Sequence, residues 1–284
     1  MLVALYALLA CQSPTTSTNA EAPSAGAPAT ERPGTAPITA RASVEGAPVA
    51  YDTRSVPAGT YRIGSDPQDP EREDDEGPMQ VTLTRGVRLG TAEVTQALWD
   101  QLMSANPSAQ VDPTLPVGQV SWHDAVLFAN ALSKRDGLAP AYTIEGRDVR
   151  WDPASPGWRL PTEAEWEVAA RGANQPPPED ASLQAAPWTR DTSGGGPRKP
   201  CLGTPNALGF CDLLGNMQEW VWDRYAPYPG PTANDPRGAE SGEARVLRGG
   251  SWNHVAAQAR LANRNRGLPS VRFVVNGVRL ARND

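Results

Sequence analysis

Apolar side chains along this sequence fall into short groups separated by polar, Pro- and Gly-rich stretches. In "RSVPAGTYRIGS", Val56, Tyr61 and Ile63 flank Pro57, Ala58 and Gly59, a pattern that predicts a short strand pair around that turn. "MQVTLTRGVRLG" alternates apolar and polar, with Val81 and Leu83 on one face, and reads as a strand. In "TAEVTQALWDQLM", Val94, Leu98 and Leu102 recur every four residues, which predicts an amphipathic helix. A second helix is expected over "SWHDAVLFANALSKRDG". Ser121 caps it, Asp124 returns the bond, and Trp122, Ala125, Val126, Ala129 and Leu132 make the buried stripe up to Gly137. "RLPTEAEWEVAARGA" announces a third: Thr162 and Glu165 form a capping box, Trp166, Ala169 and Ala170 face inward, and Gly172 stops it. Beyond it, "PWTRDTSGGGPRKP" is turn and loop, and short strands are expected near Val246–Leu247 and Val278–Leu280. The pattern is α+β, with few helices and much irregular backbone.

Composition sharpens this picture. The 284 residues include 29 Pro, 26 Gly and 9 Trp, as expected of a loop-rich domain pinned by bulky anchors. A formal net charge of −6, with acids and bases intermixed, argues against nucleic-acid binding, which requires a basic face. The opening "MLVALYALLAC" is too short to span a bilayer, which takes about 20 apolar residues, and reads as a secretion signal. Leu9-Ala10-Cys11 resembles the end of a bacterial lipobox, with Cys11 as the lipidated residue, although no Lys or Arg precedes the apolar run. From Gln12 to about Pro48 the chain is Ser, Thr, Ala, Pro and Gly, the composition of a flexible tether, so the folded domain is expected over 49–284. Membrane attachment is then through the lipid alone, facing the periplasm or the cell surface. Cys201 and Cys211 remain; in an oxidising compartment they can pair, the alternative being two separate buried thiols. The acidic stretch Asp69 to Pro78 reads as a solvated loop.

Six stretches stand together in order: "VPAGTYRIGS", "EVTQALW", "RLPTEAEWEVAARG", "LGFCDLLGNMQEW", "RGGSW" and "NGVRLAR". This set resembles the formylglycine-generating enzyme, or sulfatase-modifying factor, family over essentially all of 49–284. The resemblance implies a single α+β domain with a C-type-lectin-like core. The family's oxidases convert a sulfatase cysteine to formylglycine with molecular oxygen and copper, held by two cysteines shortly after the Gly-Gly-Ser motif. Soft thiolate ligands select Cu(I). Here the two positions after Gly249-Gly250-Ser251 are His254 and Ala259, and Gln218 replaces a tryptophan that walls the family pocket. No copper site is therefore expected. Some relatives use three-histidine iron; His123 and His254 are the only histidines, which excludes it.

The resemblance also implies one structural calcium site, at Asp212, Gly215, Met217 and Glu219. Calcium takes carboxylate and carbonyl oxygens together, and a Gly-Asn turn can aim successive carbonyls at one point. A second family calcium site, in the loop before this motif, is expected to be absent. Arg248, Arg260, Arg264 and Arg279 match family arginines and are expected to pair with helix acids such as Glu165 or Glu167. The expected function is a lipid-anchored, noncatalytic binding module, monomeric, for an unidentified protein, peptide or glycan. The alternative is an enzyme of altered chemistry in the same pocket.

Overall fold

The computed structural model describes residues 37–43, 47–173 and 187–284. Along the chain these form β1 (Thr53–Val56), β2 (Gly59–Ile63), β3 (Met79–Leu83), β4 (Val87–Gly90), α1 (Gln96–Leu102), α2 (Trp122–Arg135), β5 (Tyr142–Glu145) and β6 (Asp148–Trp151). There follow α3 (Glu163–Ala170), β7 (Gln218–Arg224), β8 (Thr232–Asn234), β9 (Arg245–Arg248), β10 (Asn265–Gly267), β11 (Asn276–Gly277) and β12 (Ala281–Asn283). The α+β class and the low content of regular structure agree with the sequence pattern.

Period-two alternation operates as expected in β3, where Met79, Val81 and Leu83 are buried. The strand pair around Pro57 does not form. β2 pairs antiparallel with β3, whereas β1 pairs with β4 in a different sheet. The corner between them is closed by a side chain, Tyr61 donating its hydroxyl to the Pro57 carbonyl at 2.8 Å, not by ladder bonds. β8 runs parallel to β3, and β12 covers the free edge of β4. The strand expected at Val278–Leu280 is replaced by two shorter ones on either side, β11 and β12. Val278 and Leu280 instead accept from the Val94 and Gly90 N–H groups.

Local helix signals were accurate where a capping box exists. Ser121 and Asp124 cap α2 reciprocally, as do Thr162 and Glu165 for α3. Gly137 and Gly172 both adopt positive φ just past the helix ends, where a side chain would be strained. α1 begins later than its periodicity suggested, with Thr95 as cap. Val94 lies before the helix, buried because its N–H and carbonyl bridge Val278 and Val117.

Two apolar clusters fill the domain. One joins α1 and α2 through Trp99, Trp122 and Phe128; the other joins β2, β3 and α3 through Ile63, Val81 and Trp166. β7 separates them. Its alternation sends Trp220 into the first and Val221 into the second, both fully buried. β9 pairs with β7, β10 with β9, and the short β11 runs parallel to β7. The segment between β9 and β11 is therefore hung from the central sheet at both ends.

The domain reaches further toward the N-terminus than residue 49. Ile38 is buried in the first cluster, and Arg41 donates its N–H to the Leu102 carbonyl at 2.7 Å. Cys11 and most of the tether lie outside the described residues. Among the described residues, no helix is long and apolar enough to cross a membrane. Cys201 and Cys211 form a disulfide, closing a short loop beside the motif "DLLGNMQE".

Candidate functional site

The C-terminal segment is fixed by buried ion pairs. The capping box orients α3 so that Glu163 and Glu167, one turn apart, face that segment. Arg248, fully buried, pairs with Glu167 and donates to the carbonyls of Leu261, Ala262 and Asn263 at 2.8, 3.0 and 2.8 Å. Glu167 also accepts from Arg171 at 2.8 and 2.6 Å and from the Gly64 N–H at 2.7 Å. Burial pushes its carboxyl up, but Arg171, Arg248 and that N–H outweigh burial and hold it below the ordinary glutamate range. Arg264 binds Glu163 with both arms of its fork, at 2.7 and 2.8 Å. Arg279 and Glu219 form a third buried pair, 2.8 Å apart at closest approach.

Two expectations are corrected here. Glu165 does not meet any of the four C-terminal arginines; it caps α3 and pairs with Arg159 at 2.7 Å. The acidic loop is not simply solvated: Glu76 is fully buried and holds Arg260 at 2.9 and 2.7 Å, and Asp75 accepts from the Tyr225 hydroxyl at 2.6 Å.

The Gly-Gly-Ser turn sits against the Gly215–Asn216 turn. Gly215 donates to the Gly249 carbonyl at 2.7 Å, and Trp252 donates to the Asn216 carbonyl at 2.8 Å. Gly250 needs to be glycine. Its φ is +66°, and a Cβ there would lie 2.7 Å from the Gln258 carbonyl and 3.0 Å from the Ala259 methyl. Ala259 is thus packed against the turn and buried, with no ligand atom. His254 follows the turn, its N–H donating to the Ser251 carbonyl at 3.0 Å and its carbonyl accepting from the Arg190 N–H at 2.9 Å. Its Nδ1 is buried without a partner. Burial, with Arg190 adding to it, lowers the imidazole's pKa, so the ring is neutral at pH 7. Nearby, the Trp252 indole N–H is also unpartnered, and Trp252 lines a cavity of about 240 Å³ with Met217, Gly118 and Val274. Gln218 is buried at the start of β7.

For the cation set, Asp212, Gly215 and Asn216 all have positive φ, between 53° and 79°, a backbone that curls the motif tightly. Glu219 is heavily committed: Arg279 takes both its oxygens, and the Trp166 indole donates to one of them at 2.7 Å. Asp212 accepts from the Cys201 N–H at 2.6 Å. The carboxylate that the sequence reading missed is Glu93. It is buried, and its Oε1 accepts from Asn216 Nδ2 at 3.0 Å and from the Met217 N–H at 3.4 Å. Its Oε2 has no partner. Burial, then the adjacent Asp212, raises the Glu93 pKa well above the usual range. An orphaned carboxylate oxygen beside a second buried acid suits a cation bound to this turn. Among the described residues no group of three or more His, Cys, Asp or Glu side chains is arranged as a metal site, so backbone carbonyls would have to supply part of the shell. Glu93 carried little sequence signal, because "TAEVTQALW" reads as one continuous amphipathic stretch.

Comparison with known proteins places these features in a family. The sulfatase-modifying factor enzyme 1-like domain matches residues 41–284. The Chaperone protein LppX of Paenibacillus barcinonensis is 30% identical over 203 residues, covering 58% of this chain and 68% of that protein. The hercynine oxygenase of Mycolicibacterium smegmatis is 30% identical over 265 residues, covering 82% of this chain but 61% of that longer protein. Among solved structures, Treponema denticola variable protein 1 superposes with a TM-score of 0.76 at 30% identity, over 88% of this chain and all (100%) of that one.

Proposed function

The chain belongs to the sulfatase-modifying factor enzyme 1-like family, and within it we propose a noncatalytic binding module held at a membrane through a lipid on Cys11. The observation that carries this reading is the pair of residues after the glycine turn. His254 offers one neutral imidazole and Ala259 a methyl group, where the oxidases of the family place two copper-binding thiolates. Gln218 in place of a pocket-wall tryptophan points the same way.

What remains is a rigid frame that presents side chains. Arg248, Arg260 and Arg264 fix the backbone of the segment after β9, while Val255 and Leu268 on that segment stay exposed. Such a surface suits recognition of a protein, peptide or glycan outside the cytoplasm. The similarity to proteins named as a chaperone and as a variable protein is compatible with a binding role. A structural calcium ion is proposed at the turn of Asp212, Gly215 and Met217, with Glu219 and Glu93 as its acidic surroundings. When bound, it would neutralise the buried acids and stiffen the turn on which Gly249 and Trp252 rest.

The test is copper loading and turnover. The purified protein, titrated with Cu(I) against a competing chelator and assayed for oxygen uptake with a Cys-x-Pro-x-Arg peptide, is expected to take up no stoichiometric copper and to form no aldehyde. Tight copper binding together with formylglycine product would overturn the noncatalytic reading.

A further inference from the structure

A separate cleft of about 470 Å³ opens where four elements meet: the start of α2 with Trp122 and His123, the β5–β6 hairpin with Arg147 and Asp148, the ends of β7 and β9 with Arg224 and Arg245, and the loop at Pro269 and Ser270. Its floor is Arg245, only 6% exposed. The guanidinium lies 3.8 Å from the centre of the Trp122 ring and 4.9 Å from that of Trp222, and donates to the Trp222 carbonyl. Stacking of this kind holds a guanidinium flat and directs its edge.

Charge in the cleft is unbalanced. Among the described residues, no carboxylate lies within ion-pair distance of Arg147, Arg224 or Arg245, although Arg224 does donate to the Gly242 carbonyl at 2.6 Å. Arg150, also on the wall, is already paired with Glu145 at 2.6 Å. Nearby Asp124 is committed to capping α2 and to Arg272 at 2.7 Å. The cleft's own acid is Asp148. Three unpaired guanidiniums and one carboxylate leave two positive charges, in a protein whose net charge is −6. Burial, with Arg224 adding to it, outweighs the attraction of Asp223 and lowers the Arg245 pKa to about 10. Stacking under Trp122 accounts for Arg245 as a packing residue, but it does not account for Arg147 and Arg224 converging on the same space without a carboxylate beside them.

We propose that this cleft binds a tetrahedral dianion, the phosphate group of a monoester, with Arg245 as a preoriented floor and Arg147 and Arg224 as walls. The double charge matches the uncompensated charge of the lining, and guanidinium forks suit oxyanions. His123, at the rim with a pKa lowered by burial and by Arg245, serves as a neutral hydrogen-bonding partner. The inference does not depend on whether the family pocket is catalytic.

Calorimetric titration of the purified protein with inorganic phosphate, and separately with inorganic sulfate, at low ionic strength tests it. Saturable binding at one site is expected, with acetate at least about tenfold weaker. Sulfate, a dianion of the same shape, is expected to occupy the same site and to compete with phosphate. The variants Arg147→Ala and Arg224→Ala alter exposed or half-buried side chains, so the melting temperature should hold while affinity falls about tenfold for each. No saturable binding of either anion, undiminished binding by the double variant, or acetate binding as tightly as phosphate would each overturn the proposal.

Discussion

Glu167→Gln is the sharpest probe of how the C-terminal segment is held. The substitution keeps volume and shape but removes the charge that faces Arg248 and Arg171. Both guanidiniums are buried, Arg248 at 0% exposure and Arg171 at 6%, so neither can turn to solvent. Removing one partner of a buried ion pair costs about 3–5 kcal/mol, because the other charge stays desolvated and unpaired. In a domain of this size each kcal/mol lowers the melting temperature by about 2–4 °C, so the expected loss is about 6–20 °C. Calorimetric melting at pH 7 reads it directly. The pH dependence adds a second arm. The folded carboxyl is held below its ordinary value of 4.5, so its contribution is complete above that pH and disappears as pH falls through the lower folded value. The gap between wild type and variant should therefore be widest at neutral pH and narrow in acid below pH 4.5. A melting shift under about 3 °C, or a gap that stays constant into acid, would show that the Arg248–Glu167 pair is not what anchors the segment.

Reducing Cys201–Cys211 removes the closure of a short loop, worth about 2.7 kcal/mol in the chain-entropy model, so dithiothreitol should lower the melting temperature by about 5–11 °C. Calcium at about 100 times its dissociation constant should add about 2.7 kcal/mol, seen as a higher melting point against a chelator control, and Glu93→Gln or Asp212→Asn should reduce that gain. An unchanged midpoint with and without chelator would remove calcium from the account. Cys11→Ser should shift the protein from the membrane to the soluble fraction, with mass spectrometry of the wild-type membrane pool finding lipid mass on Cys11; an unmodified thiol there would reject the anchor.

Features encoded within one turn of chain were legible in the sequence. Ser121 with Asp124 and Thr162 with Glu165 are complete local signals, and both helices start where those boxes place them. Strand partners were not legible, because nothing near Val56 says that β1 will choose β4 over β2. Val56 shares one apolar cluster with residues of both β2 and β4, so that choice is made by long-range packing and not by local pattern. The ion pairs fall between these cases. Glu163 and Glu167 share a face of α3 by spacing alone, but which acid meets which arginine depends on the path of a segment some 80 residues away. The capping box held a clue even so: an acid already bonded to the Thr162 N–H is poorly placed to reach across the domain. Glu93 escaped notice because Thr95 lacks an acid three residues on, so the true start of α1 was hidden and Glu93 looked like a residue on a helix surface.

The same framework separates the side chains that hold the C-terminal segment from those that do not. The His254 side chain contributes little to holding its own segment, whereas the Ala259 methyl is buried against the glycine turn. The backbone around them is fixed by Gly249 and Gly250, whose positive φ and close approach to Leu213 and Ala259 leave no room for side chains, and by arginines rooted in α3, the acidic loop and β7. His254 enters this network through backbone atoms alone, its side-chain Nδ1 being unpartnered. A residue tied in only by its main chain can change its side chain at small energetic cost. Substitution of the His254 side chain is therefore expected to cost little stability, whereas substitution at Arg248, Glu167 or Gly250 is expected to lower it. Stability in this short segment is carried by its buried arginines and its glycine turn, so the His254 side chain can differ while the scaffold keeps its shape.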